Sequence, residues 1–249
     1  MDYKLLSELL FPNVTTTPEE LEEKYPPRNL PEGAKVTRFA PSPTGFMHLG
    51  NLYGALADER MAHLSEGVFY LRIEDTDDKR TVENGVALII NALEKFDLHF
   101  DEGATADGDN GAYGPYRQSE RKNIYQTYAK YLVQQGTAYP CFCTEEELAA
   151  NRAEQEALKL TPGYYGKWAI WRDAPIEKIK EQLDAGKPFV LRLRSEGVEG
   201  QTMKFTDLVK GTVDVTPNFI DHVILKSDGI PTYHFAHAID DHFMRTTLV

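Results

Sequence analysis

A chain of 249 residues, 41% of them hydrophobic, holds one large domain or two moderate ones with real cores. Its net charge of −12 excludes nucleic-acid binding over the whole surface, so any such contact needs a local basic patch. No long apolar run and no basic-then-apolar leader occurs, which excludes a membrane span and makes the cytoplasm the expected compartment.

Residues 1–34 read as an N-terminal helical extension. Leu5, Leu6, Leu9 and Leu10 outline a short amphipathic helix, and Thr17-Pro18-Glu19-Glu20 is a capping box with proline at the first helical position, predicting a second helix toward Lys24. Pro26, Pro27 and Pro31 then make a stiff connector. Lys35 to Ala40 reads as a buried strand. Pro41 and Pro43 each remove a backbone donor and fix φ, so neither ladder nor helix continues, and Gly45 supplies the freedom to turn. From Met47 the apolar period turns helical, with Leu49, Leu52, Tyr53, Leu56 and Leu64 on one expected core face and Gly67 at the C-terminal cap. His48 falls on the first turn, where unpaired N–H groups and the helix dipole favour an anion.

Val68 to Ile73 is a near-continuous apolar run, as in a strand buried on both faces of a parallel sheet. Val82, Val86, Ile89, Ile90, Leu93 and Phe96 give a helical stripe, and strand–helix–strand–helix opens a doubly wound α/β domain. Asp101 to Gly114, rich in Gly and Asp, reads as a loop. A helix is predicted from about Gln118 to Gly136, then a strand over Thr137 to Cys143 and a second capping box at Thr144 opening a charged helix toward Leu160. After a helix from Pro175 to Ala185 come strand-like stretches at Phe189 to Arg194, Met203 to Leu208, Thr212 to Val215 and His222 to Lys226. Residues 111–221 thus look like an α+β insertion, on which Arg192, Arg194, Lys204 and Lys210 are candidates for a basic face.

Arg38 and Glu74 stand at the ends of two strands expected to be buried, where an isolated charge is costly. They need partners, and a salt bridge between the two would be the simplest. Asp240, Asp241 and His242 are consecutive on a helix and point in different directions, so they do not converge on one ion and are read as fold and pocket support. Cys141 and Cys143 cannot build a disulfide framework and fit a reducing compartment.

Arg38 to Asn51, with His48-Leu49-Gly50-Asn51 at its end, followed by Arg72-Ile73-Glu74-Asp75-Thr76-Asp77, resembles the class I aminoacyl-tRNA synthetases, in the glutamyl/glutaminyl branch. Pro231 to His242 is similar to that family's strand-to-helix segment beside the amino-acid pocket, and the resemblance runs from about Val36 to Val249. It implies an α/β fold: a Rossmann-like nucleotide-binding domain (parallel sheet, helices on both faces) with its first half at 35–110. An α+β acceptor-stem-binding insertion at 111–221 interrupts it, and the second half starts at 222–249. The implied activity is glutamate–tRNA ligation: ATP, with Mg2+, activates L-glutamate as the adenylate, which passes to the 3′ end of tRNA(Glu). By the same resemblance His48 is catalytic and Ser42, Thr44, Gly45, His48, Gly50 and Asn51 bind ATP. Arg38 takes the glutamate side-chain carboxylate, Glu74 its ammonium, and Ala40, Ser42, Tyr233 and His237 complete the pocket.

Departures from the family pattern shape further expectations. His237 stands where asparagine is usual. Counting forward from Cys141 and Cys143 to the remaining ligands of the family's zinc knuckle lands on Trp168 and Ile170, so no zinc is expected and Trp168 should pack where metal would sit. Nothing like the second signature, Lys-Met-Ser-Lys-Ser, occurs before Val249, so the chain is expected to be a monomeric, inactive N-terminal fragment. Alternatives are a paralogue that glutamylates queuosine, in which Tyr164 would join the cysteines at a zinc site, and a non-catalytic ATP- or tRNA-binding module.

Overall fold

The computed structural model describes residues 1–43, 47–76 and 84–249. In chain order it forms α1 Tyr3–Leu10, α2 Pro18–Lys24, β1 Val36–Phe39, α3 Leu49–His63, β2 Val68–Leu71, α4 Gly85–Glu94, β3 Glu102–Ala104, β4 Asp109–Asn110 and α5 Lys122–Gln134. There follow β5 Ala138–Cys141, α6 Glu145–Ala157, α7 Ile176–Asp184, β6 Val190–Leu193, β7 Met203–Asp207, β8 Gly211–Val215, β9 Val223–Leu225 and α8 Tyr233–Phe243. Packing divides them into two units. One, here the parallel unit, comprises Thr16–Thr127 and Ile230–Val249; the other, the antiparallel unit, comprises Met1–Thr15 and Tyr128–Gly229. The expected extension at 1–34 is therefore shared between the two, and neither 111 nor 221 bounds a packing unit.

The parallel unit is built on the sheet β1-β2-β3-β4. β1 and β2 pair in parallel with Arg38 beside Tyr70, and β2 pairs in parallel with β3. The stretch read as a loop carries β3 and β4, a short antiparallel pair. Charged and Gly-rich composition hid them, because β3 gains its place from backbone pairing with β2 rather than from side-chain hydrophobicity. The core gathers Val36, Phe39, Phe69, Tyr70, Leu71, Ile89 and Leu93, with Phe69 stacked on Phe100 at 4.8 Å. Burying one such side chain stabilises by about 1.5–3 kcal/mol.

α3 starts after His48, which caps it instead of lying on its first turn, and the left-handed residue that follows its end is Glu66, not Gly67; its buried face differs too. Leu49, Tyr53, Leu56 and Leu64 are exposed, and Ala55, Glu59 and Ala62 are the buried positions. Small side chains let the helix lie close on the sheet, close enough for the Thr37 hydroxyl to donate to the Asp58 carbonyl at 2.7 Å. At its last turn His63 bridges Glu59 (2.9 Å) and Asp101 (3.0 Å). Gly67 follows, and a Cβ there would stand 1.8 Å from the Lys35 carbonyl oxygen. Residues 16–34 belong to this unit. Tyr25 is fully buried against Phe243, Glu22 pairs with His242 and Arg245, and Arg28 pairs with Glu102 while stacking on Tyr113 at 3.8 Å. Beyond α8 the chain turns onto the outer edge of β1, where the Thr247 N–H donates to the Val36 carbonyl at 2.9 Å and the Val36 N–H to the Thr247 hydroxyl at 2.8 Å.

The antiparallel unit holds the three-stranded sheet β5-β6-β9 and the separate ribbon β7-β8. α6 opens as its capping box requires: the Glu147 N–H donates to the Thr144 hydroxyl and the Thr144 N–H to the Glu147 carboxylate. Phe142 packs on Trp171 and Phe189, which also meets Phe11 just past α1. Asp221 is the polar centre. Fully buried, it accepts from the Tyr139 hydroxyl, the Arg172 guanidinium and the Ser195 N–H (2.8 Å).

Candidate active site

The site of the parallel unit grows out of strand periodicity. Alternate residues share a face, so Tyr70, Arg72 and Glu74 form one row, and the register puts Arg38 next to Tyr70. The row continues past the end of β2 because the Arg72 N–H donates to the Phe39 carbonyl (3.0 Å) and the Glu74 N–H to that of Pro41 (3.1 Å). α8 lays two consecutive acids onto this row. About 100° apart on the helix, they serve different partners. Asp240 is fully buried and accepts from the Arg121 Nε (2.6 Å), Gln118 Nε2 (2.9 Å) and the Tyr125 hydroxyl (2.9 and 3.1 Å). Asp241, at the margin, accepts from Arg72 Nη1 at 2.6 Å and from Arg38 Nε and Nη2 at 3.3 and 3.4 Å. Arg72, completely buried, gives its other terminal nitrogen to Glu74 Oε1 at 3.1 Å.

Three acids and three arginines thus interleave. Burial pushes the Asp241 carboxyl upward, but Arg72 and Arg38 outweigh it and hold the group below the ordinary aspartate value. At Glu74 burial wins: the carboxyl sits above its ordinary value although Arg72 and Arg38 oppose the rise. Tyr70, wholly buried, is pushed up to about 12, and its hydroxyl meets that of Thr246 at 2.6 Å.

Arg38 and Glu74 are brought into one network, but not as a pair: each has an internal counter-charge, Asp241 for the first and Arg72 for the second. Asp240 and Asp241, expected as fold and pocket support, are the acids of this network, and Arg72, Arg121, Tyr125 and Gln118 join it beyond the expected site residues. The signals available were an arginine two residues before Glu74 on an alternating strand, and two acids side by side on a helix. Ala40 is half-buried and Ser42 exposed, in the segment leaving β1. His48 is exposed and caps α3, its N–H donating to the Asn51 Oδ1 at 3.0 Å, and Gly50 stands open, with nothing within 4 Å of where a Cβ would be. Thr44 and Gly45 lie outside the described residues. At the start of α8, exposed Tyr233 lies ring to ring with His237 at 4.9 Å, and the His237 Nδ1 is 3.1 Å from the Tyr233 carbonyl oxygen. A cleft of about 460 Å³ beside β3, lined by Ile90, Leu98, Phe100 and Ala104, contains none of these residues.

In the antiparallel unit the Cys143 Sγ is 3.5 Å from the Tyr164 hydroxyl. The hydrogen bond with Cys143 draws the Cys141 thiol below the ordinary thiol range despite its burial. Trp168 packs on Tyr165 and donates its indole N–H to Glu154 at 2.8 Å, and Ile170 is half exposed. No group of three or more His, Cys, Asp or Glu side chains able to hold a metal occurs among the described residues. Arg192, expected on a basic face, is buried: it donates to the Asp221 carbonyl at 2.8 Å and lies 4.0 Å over the Tyr164 ring, because its strand β6 is the central one of the sheet. Arg194 pairs with Asp173, and Lys204 and Lys210 are exposed.

The family model of the class I tRNA synthetases (E and Q), catalytic domain, matches residues 35–249. The chain belongs to this family. It is 56% identical over its whole length to a glutamate–tRNA ligase of Acetivibrio thermocellus, of which it covers 46%, and 51% identical to one of Clostridium perfringens, again over its whole length and 46% of the relative. A glutamate tRNA ligase of Elizabethkingia meningosepticum, crystallised in complex with its amino acid, superposes on 87% of the chain with a TM-score of 0.75 at 39% identity, the match covering 43% of that protein. The synthetase chain thus spans about half the length of these relatives. Its parallel sheet β1-β2-β3 with flanking helices is the α/β architecture implied by its first signature. No helix among the described residues is long and apolar enough to cross a membrane.

Proposed function

We propose that these residues form the amino-acid and ATP side of a glutamate–tRNA ligase, which activates L-glutamate as the adenylate and passes it to the 3′ end of tRNA(Glu). One observation carries this reading: a guanidinium and a carboxylate stand on one row of side chains, Glu74 oriented by the buried Arg72 and Arg38 by Asp241 at the margin. Arg38 takes the side-chain carboxylate through its planar donors and Glu74 the ammonium, while Ser42, Tyr233 and His237 border the pocket. The third group of the substrate, the α-carboxylate, then faces the start of α3. There the Leu49 and Gly50 N–H groups precede the first intrahelical bonds and His48 is exposed, a setting that suits the phosphates of ATP. Mg2+ carried by ATP supplies charge neutralisation on those phosphates. The residues' own part is to align the α-carboxylate with the α-phosphate and to donate to its oxygens.

The acceptor stem of the tRNA is the proposed partner of the antiparallel unit, with Lys204 and Lys210 exposed toward solvent. The donor set at Cys141, Cys143 and Tyr164 lacks a fourth zinc ligand among the described residues, since the indole of Trp168 is a donor only and offers no lone pair to a metal, and no zinc is assigned.

Calorimetric titration of L-glutamate and L-glutamine tests the pocket. The chain should bind glutamate in preference to glutamine, and Arg38→Ala should weaken glutamate by about 10- to 100-fold. Equal affinities of wild type and Arg38→Ala remove Arg38 from the site and the reading with it.

A further inference from the structure

Glu74, Arg72, Asp241 and Arg38 form a chain of four charges alternating in sign. Its three links are 3.1 Å, 2.6 Å and the paired 3.3 and 3.4 Å contacts. Burial falls along it: Arg72 is wholly enclosed, while Asp241 and Arg38 keep 17% and 16% of their side chains accessible. Glu74 joins through Oε1 and Arg38 through Nε and Nη2, so the Glu74 Oε2 and Arg38 Nη1 take no part in the links. The chain is therefore open at both ends, negative at one and positive at the other. A ligand carrying an ammonium and a carboxylate at the right separation closes it into a ring of six charges in which every neighbour is of opposite sign.

We propose that Arg72 and Asp241 are positioning residues for glutamate: they hold the two terminal groups so that ligands are selected by the separation of ammonium and side-chain carboxylate. This rests on the function proposed above. A guanidinium is planar, so fixing its Nε–Nη2 edge on Asp241 also fixes the direction of Nη1. Arg72 commits one terminal nitrogen to each of two acids, a geometry that a single ammonium cannot reproduce. Asp240 lies 3.8 Å from the Arg72 Nε but is saturated by Arg121, Tyr125 and Gln118. The groups acting on Glu74 are Arg72 and Arg38, which favour its ionised form, and Asp240, which opposes it together with burial. Arg38 is also felt by Asp58 of α3. Arg72 is thus the charge that keeps a buried Glu74 available to an ammonium.

The test is calorimetry on this chain with L-glutamate, L-glutamine, γ-aminobutyrate and glutarate. γ-Aminobutyrate has glutamate's two terminal charges without the α-carboxylate and should compete with glutamate; glutarate, lacking the ammonium, should not. Asp241→Asn keeps the shape and removes the charge. It should weaken glutamate by about tenfold or more and erode the preference over glutamine. Arg72→Gln removes the charge that most opposes burial at Glu74, so the pH below which glutamate affinity is lost should move upward relative to wild type. A merely structural role does not produce that profile. Should Arg72→Gln not fold, the ligand preference of Asp241→Asn decides. If wild type binds glutamate and both variants keep its affinity, preference and pH profile, the positioning role is overturned and the Arg38 and Glu74 assignments stand. If wild type binds no glutamate, both readings fall.

Discussion

Each unit has a fully buried aspartate at its centre, and the two are used differently. Asp221 is surrounded by Tyr139, Arg172 and the Ser195 N–H, and Arg172 in turn donates to the Ser195 carbonyl at 2.7 Å. Those bonds return to the backbone of the same unit, and Arg172, although a quarter of its side chain is accessible, has both terminal nitrogens committed within it, so no charge is left over. Asp240 is equally enclosed, by Arg121, Tyr125 and Gln118, but its neighbour Asp241 carries the charge pattern outward through Arg72 and Arg38 to the margin of the unit. A buried acid ringed by donors is a scaffold. It becomes part of a site only where the chain of partners reaches solvent with a charge left over.

The sharpest way to break this comparison is to remove each acid. Asp240→Ala should cost about 3–5 kcal/mol, since it strands the fully buried Arg121 without its counter-charge, and Asp221→Ala less, since Arg172 keeps a quarter of its side chain accessible to water. Both tryptophans, Trp168 and Trp171, lie in the antiparallel unit, so Asp221→Ala should lower the urea midpoint of the fluorescence transition. An unchanged midpoint would deny Asp221 its central place. Next in size, Tyr139→Phe and Tyr125→Phe each delete one phenolic donor to a buried carboxylate and should cost about 1.5–3 kcal/mol in urea unfolding. A neutral Tyr125→Phe would show that Asp240 has donors to spare and that the two centres differ more than the geometry implies. Thr144→Ala, which removes half of a capping box in the antiparallel unit and touches neither aspartate, should cost about 1 kcal/mol by the same measurement.

The smallest effect belongs to His63. Burial lowers its pKa, but Asp101 and Glu59 together raise it above the ordinary 6.5. A cation favoured in the folded state contributes stability that is fully present below 6.5 and is lost as pH rises through the folded value. Stability should therefore decline modestly from pH 6 to pH 8, and His63→Gln should abolish that slope. A proton titration of His63 by NMR with a midpoint below 6.5 would reverse the sign.

The first signature, both capping boxes and the order of strands and helices outside 101–114 were legible in the sequence, because proline, glycine and cap chemistry act locally. The buried face of α3 was not. Leu49, Tyr53, Leu56 and Leu64 keep a helical spacing, yet the sheet accepts Ala55 and Ala62, and nothing in an apolar stripe says whether close approach or bulk prevails. β3 and β4 were hidden by polar composition. Arg38 and Glu74 were legible as charges in need of partners, whereas the identity of the partners required the register of β1 on β2 and the turn of α8. Arg192 failed as a surface residue for the same reason: its exposure depends on β6 being central, which no spacing along one strand records.

The bonds that Thr246 and Thr247 make also bear on motion. Thr246 touches Tyr70 and Asp241, and Thr247 exchanges hydrogen bonds with Val36 on the outer edge of β1. When these bonds open, they uncouple the end of α8 from the first two strands in one event, so Asp241 loosens together with the segment rather than alone. Amide exchange at Thr247 and Leu248 would then run at the same rate as transient opening of the charged row, making these two amides a clock for how often the pocket loses its shape.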